Sequence, residues 1–149
     1  MNPLFFSLLF LASCQLGYAQ NTKNKPSVTF LYGNSFVERL QEDGTFEALL
    51  HVAEPNKRHK LRSFAYSGDE VGFRIRPEKF GEHLGFISKQ LTCDRVIMCF
   101  GMNESFAGIE GIEAFKKDLN IYLEIIKDRH RGAEMILVSP TAVEKSDVG

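Results

Sequence analysis

The sequence predicts an α/β fold built on a parallel sheet with helices on both faces. Three observations carry this. Strand and helix candidates alternate as β-α-β-α-β-α-β between residues 27 and 140. The strand candidates are near-continuous apolar runs, as strands buried on both faces must be. The segments between them carry apolar residues at helical spacing. Alternation of this kind implies right-handed crossovers and a ligand edge at the carboxyl ends of the strands.

The elements follow in chain order. Residues 21–26, N-T-K-N-K-P, are a polar lead-in. Val28–Tyr32 is an apolar run that stops at Gly33 and reads as a buried strand. Phe36, Val37 and Leu40 share one helical face; Asp43-Gly44 interrupts it, and Phe46, Leu49, Leu50 and Ala53 resume the spacing. Glu54-Pro55-Asn56 ends this unit. Leu61–Tyr66 is the second strand candidate, and Pro77 to Gln90 is a helical stretch weakened by Gly81 and Gly85. Arg95–Phe100, R-V-I-M-C-F, is the clearest strand. Ile112 to Arg129 is the clearest helix, with Phe115, Leu119, Tyr122, Leu123 and Ile126 as its apolar stripe and Gly132 just past its end. Met135–Ser139 is the fourth strand, stopped by Pro140.

Composition narrows the function. The chain has 149 residues, 44% of them hydrophobic, enough for one domain with a real core. A net charge of −1 gives no electrostatic basis for binding nucleic acid. Residues 4–12, L-F-F-S-L-L-F-L-A, form an apolar-rich run far short of the ~20 residues that span a bilayer. Its length fits the hydrophobic region of an export signal. Two readings compete. Cleavage after Ala19 makes residues 1–19 a signal peptide. Alternatively Leu11-Ala12-Ser13-Cys14 is a lipobox, and a lipid anchor at Cys14 is the one link to a membrane. Both place residues 27–149 outside the cytoplasm, in the periplasm or cell envelope. Cys93 and Cys99 fall on one predicted strand, about 20 Å apart at ~3.3 Å per residue, too far to be bridged. No metal-ligand spacing of Cys and His occurs, so no metal is expected and the thiols read as core residues; nor does the sequence show a requirement for a cofactor.

Three segments bear chemistry: G-N-S-F at 33–36, Y-S-G-D-E at 66–70 and G-M-N-E-S-F at 101–106. They follow three successive strands, so the topology alone puts Ser35, Gly68 and Asn103 at one rim. A serine opening a helix after a strand exposes its hydroxyl and sets its own N–H at the positive end of that helix. Gly68 lets a substrate oxygen approach its backbone closely. Asn103 offers a side-chain amide. Three such donors converging on one point make an oxyanion hole, where loss of one donor costs ~10² to 10³ in rate. Singly, each segment is also an ordinary helix cap or turn; their order along the chain is what joins them.

With these segments the chain resembles the SGNH or GDSL-type hydrolases. That family's blocks are G-D-S, N-x-G-x-x-G and G-x-N-D. Here they read Gly33-Asn34-Ser35, Arg62 to Asp69 around Gly68, and Gly101-Met102-Asn103-Glu104. The likeness extends over residues 27–144. It is greatest to an exported bacterial subgroup, through Gly33–Arg39, Gly68-Asp69, Gly101–Gly108 and Leu137–Pro140. The resemblance implies a flavodoxin-like three-layer α/β/α sandwich. It implies a serine hydrolase acting on ester bonds, acetylated carbohydrate among them, through an acyl-enzyme at Ser35. It assigns the Ser35 and Gly68 N–H groups and the Asn103 amide as oxyanion donors. The implied partner is a small-molecule or glycan ester. Asn34, Ser63 and Glu104 depart from the family's Asp, Asn and Asp.

The family's last block, D-x-x-H after a fifth strand, is not found, so the domain is expected to be C-terminally incomplete, lacking the last strand and helix. Topology sends His51, His59 and His130 to the opposite rim and His83 to a helix on the flank, all as solvated surface. Glu144 and Asp147 follow the fourth strand and can approach the site, but a lone carboxylate is a poor substitute for an imidazole. Asn56–Lys60 reads as a solvated turn, and Arg74 and Arg76 as surface charges near the second segment. The alternative function is a ligand-binding or truncated domain without a catalytic histidine.

Overall fold

The computed structural model describes residues 25–71, 85–87 and 90–141. Four parallel strands form one sheet: β1 (Ser27–Gly33), β2 (His59–Ser63), β3 (Arg95–Cys99) and β4 (Glu134–Leu137). Their order is β2-β1-β3-β4, the flavodoxin-like arrangement. The chain therefore moves one way from β1 to β2 and the other way from β2 to β3 and β4. With a constant crossover hand, that reversal sends the connecting helices to opposite faces. The core is divided accordingly. Helices α1 (Ser35–Glu42) and α2 (Thr45–Ala53) supply Val37 and Phe46 to a cluster with Leu31, Ala65 and Cys99. On the other face α3 (Ile112–Arg129) packs Phe115, Leu119, Tyr122, Leu123 and Ile126 against Phe30, Tyr32, Val96 and Met98. Ile87, in a helical stretch, joins this second cluster. The three-layer α/β/α sandwich is thus as expected.

The strands are as apolar as their place in the order requires. β1 and β3 are interior and carry the most buried residues; Phe30, Leu31, Tyr32 and Val96 are wholly inaccessible. β2 and β4 flank them and are half exposed along their length. This explains two shifted boundaries. The second strand begins at His59, not Leu61, because Ser27 pairs with His59 at the foot of β1. It ends at Ser63, although Phe64 and Tyr66 still donate N–H bonds to Leu31 and Gly33 at 2.8 and 3.3 Å. The fourth strand is Glu134–Leu137 rather than Met135–Ser139, with Val138 N–H still bonded to Met98 at 2.8 Å. Cys93 precedes β3 instead of sharing it, and both thiols are free.

Two expectations about histidine are corrected. His59 and His130 are not solvated: each is 6% exposed. His59 is covered from α2, with its ring 5.1 Å from His51 and its Nε2 3.4 Å from Glu54. The turn around it, residues 55–58, is exposed as expected. His130 caps α3, and its Nε2 lies 2.8 Å from the Tyr32 hydroxyl inside the larger core. Residues 1–24, Arg74, Arg76, His83, Glu144 and Asp147 lie outside the described residues, as does most of the Pro77 to Gln90 helix. No helix among the described residues is long and apolar enough to cross a membrane.

Candidate active site

The three segments leave β1, β2 and β3 at the carboxyl edge of the sheet, and these strands are neighbours. The reversal of chain direction lies between β1 and β3, where doubly wound sheets bind ligands. Ser35 is the first residue of α1. Asn34 is its N-cap: the side-chain Oδ1 accepts the Phe36 N–H at 3.3 Å, and Asn34 is 1% exposed. Ser35 is half-buried, and among the described residues its hydroxyl has no hydrogen-bond partner. Its position at the helix start needs Gly33 before it. A Cβ on Gly33 would lie 2.5 Å from Val37 Cγ2 and 2.6 Å from the Cys99 carbonyl oxygen.

Gly68 sits in a turn closed by the Asp69 N–H to the Tyr66 carbonyl at 3.1 Å. Its φ of 83° is a conformation that glycine adopts without steric cost. Asn103 begins a short 3₁₀ turn, Glu104–Ala107, after β3. Its Nδ2 donates to the Asp69 carbonyl at 3.0 Å. That bond uses one of the two amide hydrogens and ties the Asn103 segment directly to the Gly68 turn. Gly68 and Asn103 are therefore brought together, and Ser35 follows the strand between theirs.

Two carboxylates, Glu38 and Glu104, complete the arrangement, and neither was expected to act here. Glu104 Oε1 accepts the Val71 N–H and Oε2 the Gly101 N–H, both at 2.8 Å. Glu38 Oε2 accepts from Ser67 twice, from N–H at 2.9 Å and from Oγ at 2.5 Å. A signal was available for Glu104, a charged residue directly after Asn103 in a loop that also needs its backbone N–H groups satisfied.

Beside the Asn103 segment is an apolar cavity of about 370 Å³ lined by Gly101, Ser105, Ile109, Ile112 and Phe115. Phe36, next to Ser35, and Phe106 are exposed at the same edge. The described histidines are elsewhere. His59 opens β2 and His130 ends α3, so both lie at the opposite edge, and His51 meets the His59 ring edge to face. The thiols are chemically quiet. Burial, then the Asp94 charge, pushes Cys93 up to about 11; burial, then Glu104, raises Cys99. Among the described residues no group of His, Cys, Asp and Glu is arranged to hold a metal ion.

The chain matches no known protein-family model and no curated protein.

Proposed function

We propose that this chain is a serine hydrolase domain of SGNH (GDSL) type acting on esters, exported through its N-terminal apolar run. The observation that carries the proposal is the meeting of the Gly68 turn and the Asn103 amide beside the strand that leads to Ser35. In this reaction Ser35 Oγ attacks the ester carbonyl carbon. The oxyanion takes hydrogen bonds from Ser35 N–H, Gly68 N–H and the second Asn103 amide hydrogen. The tetrahedral adduct expels the alcohol, which leaves with a proton, and water then releases the acyl group from Ser35. The apolar cavity near Asn103 suits the acyl or alcohol part of a small ester, and acetylated carbohydrates are the first class to test.

A second reading has its own observation. The described histidines sit at the far edge, so none of them can take the Ser35 proton. Without a base, only the oxyanion site and binding remain, worth ~10³ to 10⁴ over water. The chain is then an ester-binding domain. Hydrolysis of p-nitrophenyl acetate by the full chain separates the two. Turnover that falls at least 10²-fold in Ser35→Ala supports the hydrolase. Equal rates for the wild type and Ser35→Ala remove Ser35 as nucleophile and leave the binding domain.

A further inference from the structure

We propose that Glu38 and Glu104 are positioning residues that clamp the Gly68 turn between the segment carrying Ser35 and the segment carrying Asn103. The inference rests on the acyl-transfer reading for its effect on rate, but the clamp itself is a matter of geometry. Each carboxylate belongs to one donor segment and holds the turn that carries the third donor. Glu38 lies one helical turn past Ser35 on α1 and grips Ser67 through both N–H and Oγ. Glu104 follows Asn103 and grips Val71 on the other side of Gly68, while its second oxygen binds Gly101 at the root of its own loop. Bonds from ionised acceptors are roughly twice as strong as neutral ones, so these ties are stiff.

The two ties differ in a way that can be tested. Val71 and Gly101 present backbone N–H groups, which only donate. An amide at position 104 can accept from one of them and must point its own NH₂ at the other. Both Ser67 donors converge on the single oxygen Glu38 Oε2, so an amide oxygen at position 38 can still accept both bonds. Aspartate at 104 keeps the charge but is one methylene shorter, and can reach one N–H group rather than two. Glu104→Gln and Glu104→Asp should therefore both loosen the turn, and Glu38→Gln much less.

The experiment compares these three variants with Ser35→Ala in the full chain. For p-nitrophenyl acetate, kcat should fall about 10- to 10²-fold in both Glu104 variants, with KM within about threefold, because a displacement near 1 Å at the donors costs about that much. Glu38→Gln should lose about threefold or less. In ¹⁵N-labelled protein, Gly68 N–H and the Asn103 side-chain amide should shift in Glu104→Gln, while Ala133 N–H at the far edge stays in place. Unmoved Gly68 and Asn103 signals overturn the clamp, whatever the rates. Shifts spread equally to Ala133 also overturn it, since Glu104 is then merely a folding residue. If the wild type shows no Ser35-dependent turnover, the hydrolase reading fails, and the amide signals alone still decide the clamp.

Discussion

Gly33→Ala probes how the end of β1 supports the site. Gly33 pairs with Cys99, and an added Cβ falls 2.5 Å from Val37 Cγ2 and 2.6 Å from the Cys99 carbonyl oxygen. Ordinary van der Waals contact begins at 3.4 Å, so in a close-packed interior each neighbour must retreat by about 0.8–0.9 Å. Neither can do so freely. Val37 is β-branched, 1% exposed and fixed in a helix, and the carbonyl belongs to an interior strand. Overpacking costs ~1–3 kcal/mol, and main-chain displacement puts this case near ~3. With a urea m-value of about 1.5 kcal/mol/M, the unfolding midpoint should drop by about 2 M.

A double-mutant cycle isolates the contact. Val37→Ala alone should cost about 1.5 kcal/mol, for two methyl carbons at ~0.8 each. It also removes Cγ2, so the double variant should be more stable than the sum of the single changes by about 1 kcal/mol. The clash with the Cys99 carbonyl persists in the double variant, so rescue is partial. A Gly33→Ala midpoint within about 0.3 M of wild type, or strict additivity with Val37→Ala, would refute the close approach of α1, β1 and β3 described above.

Ile126 is wholly buried among Phe30, Tyr32 and Met98, so Ile126→Ala should cost ~2–5 kcal/mol by urea unfolding. Burial, then the Arg129 charge, lowers the His130 pKa below its ordinary 6.5. The unfolded chain therefore binds the proton more readily, so this stability is present above pH 6.5 and lost as pH falls through the folded value. His130→Gln should show a smaller drop in urea midpoint than wild type between about pH 7.5 and about pH 5.5. In a Cys14→Ser background, the Cys93 thiol, pushed up to about 11, and buried Cys99 should react slowly with a disulfide reagent at about pH 8 and rapidly in denaturant. Rapid reaction of the native protein would contradict the raised pKa of Cys93 and the burial of Cys99.

What could be read from the sequence follows from which forces are local. The bounds of α3 were legible because its apolar stripe and the glycine past its end are local signals. β1 was legible because an interior strand has no polar face to confuse its pattern. The bounds of β2 were not, because K-L-R-S carries the mixed pattern of a flanking strand and its start is set by Ser27 on another strand. The same distinction explains the histidines. Arg58 and Lys60 flank His59, and Arg129 and Arg131 flank His130, so local polarity points to solvent. The burial of His130 comes from a partner far along the chain, Tyr32 lying 98 residues away, and that of His59 from α2 folding back over the start of β2, which sets His51 and Glu54 against its ring. That Ser35, Gly68 and Asn103 share one edge of the sheet was legible because all three follow strand ends. Glu38 and Glu104 were missed as ties because their partners, Ser67 and Val71, come from another segment.

The sheet also explains why such ties are needed. Strands lie ~4.8 Å apart, so β2 and β3, on either side of β1, are separated by about 10 Å. In the proposed oxyanion site, donors to one substrate oxygen must each stand ~3 Å from it, hence no more than about 6 Å from one another. The loops after β2 and β3 must therefore lean toward each other across the end of β1 by about 4 Å. Two bonds make that crossing: Asn103 Nδ2 to the Asp69 carbonyl and Glu104 Oε1 to the Val71 N–H. The residue at the end of β1 beneath them is Gly33, whose carbonyl also accepts the Tyr66 N–H at 3.3 Å. A side chain there would meet the Cys99 carbonyl at the end of β3, on one side of the crossing. The glycine, the amide and the carboxylate are thus parts of one solution. The strand order brings the segments to a common edge, and these residues close the remaining distance.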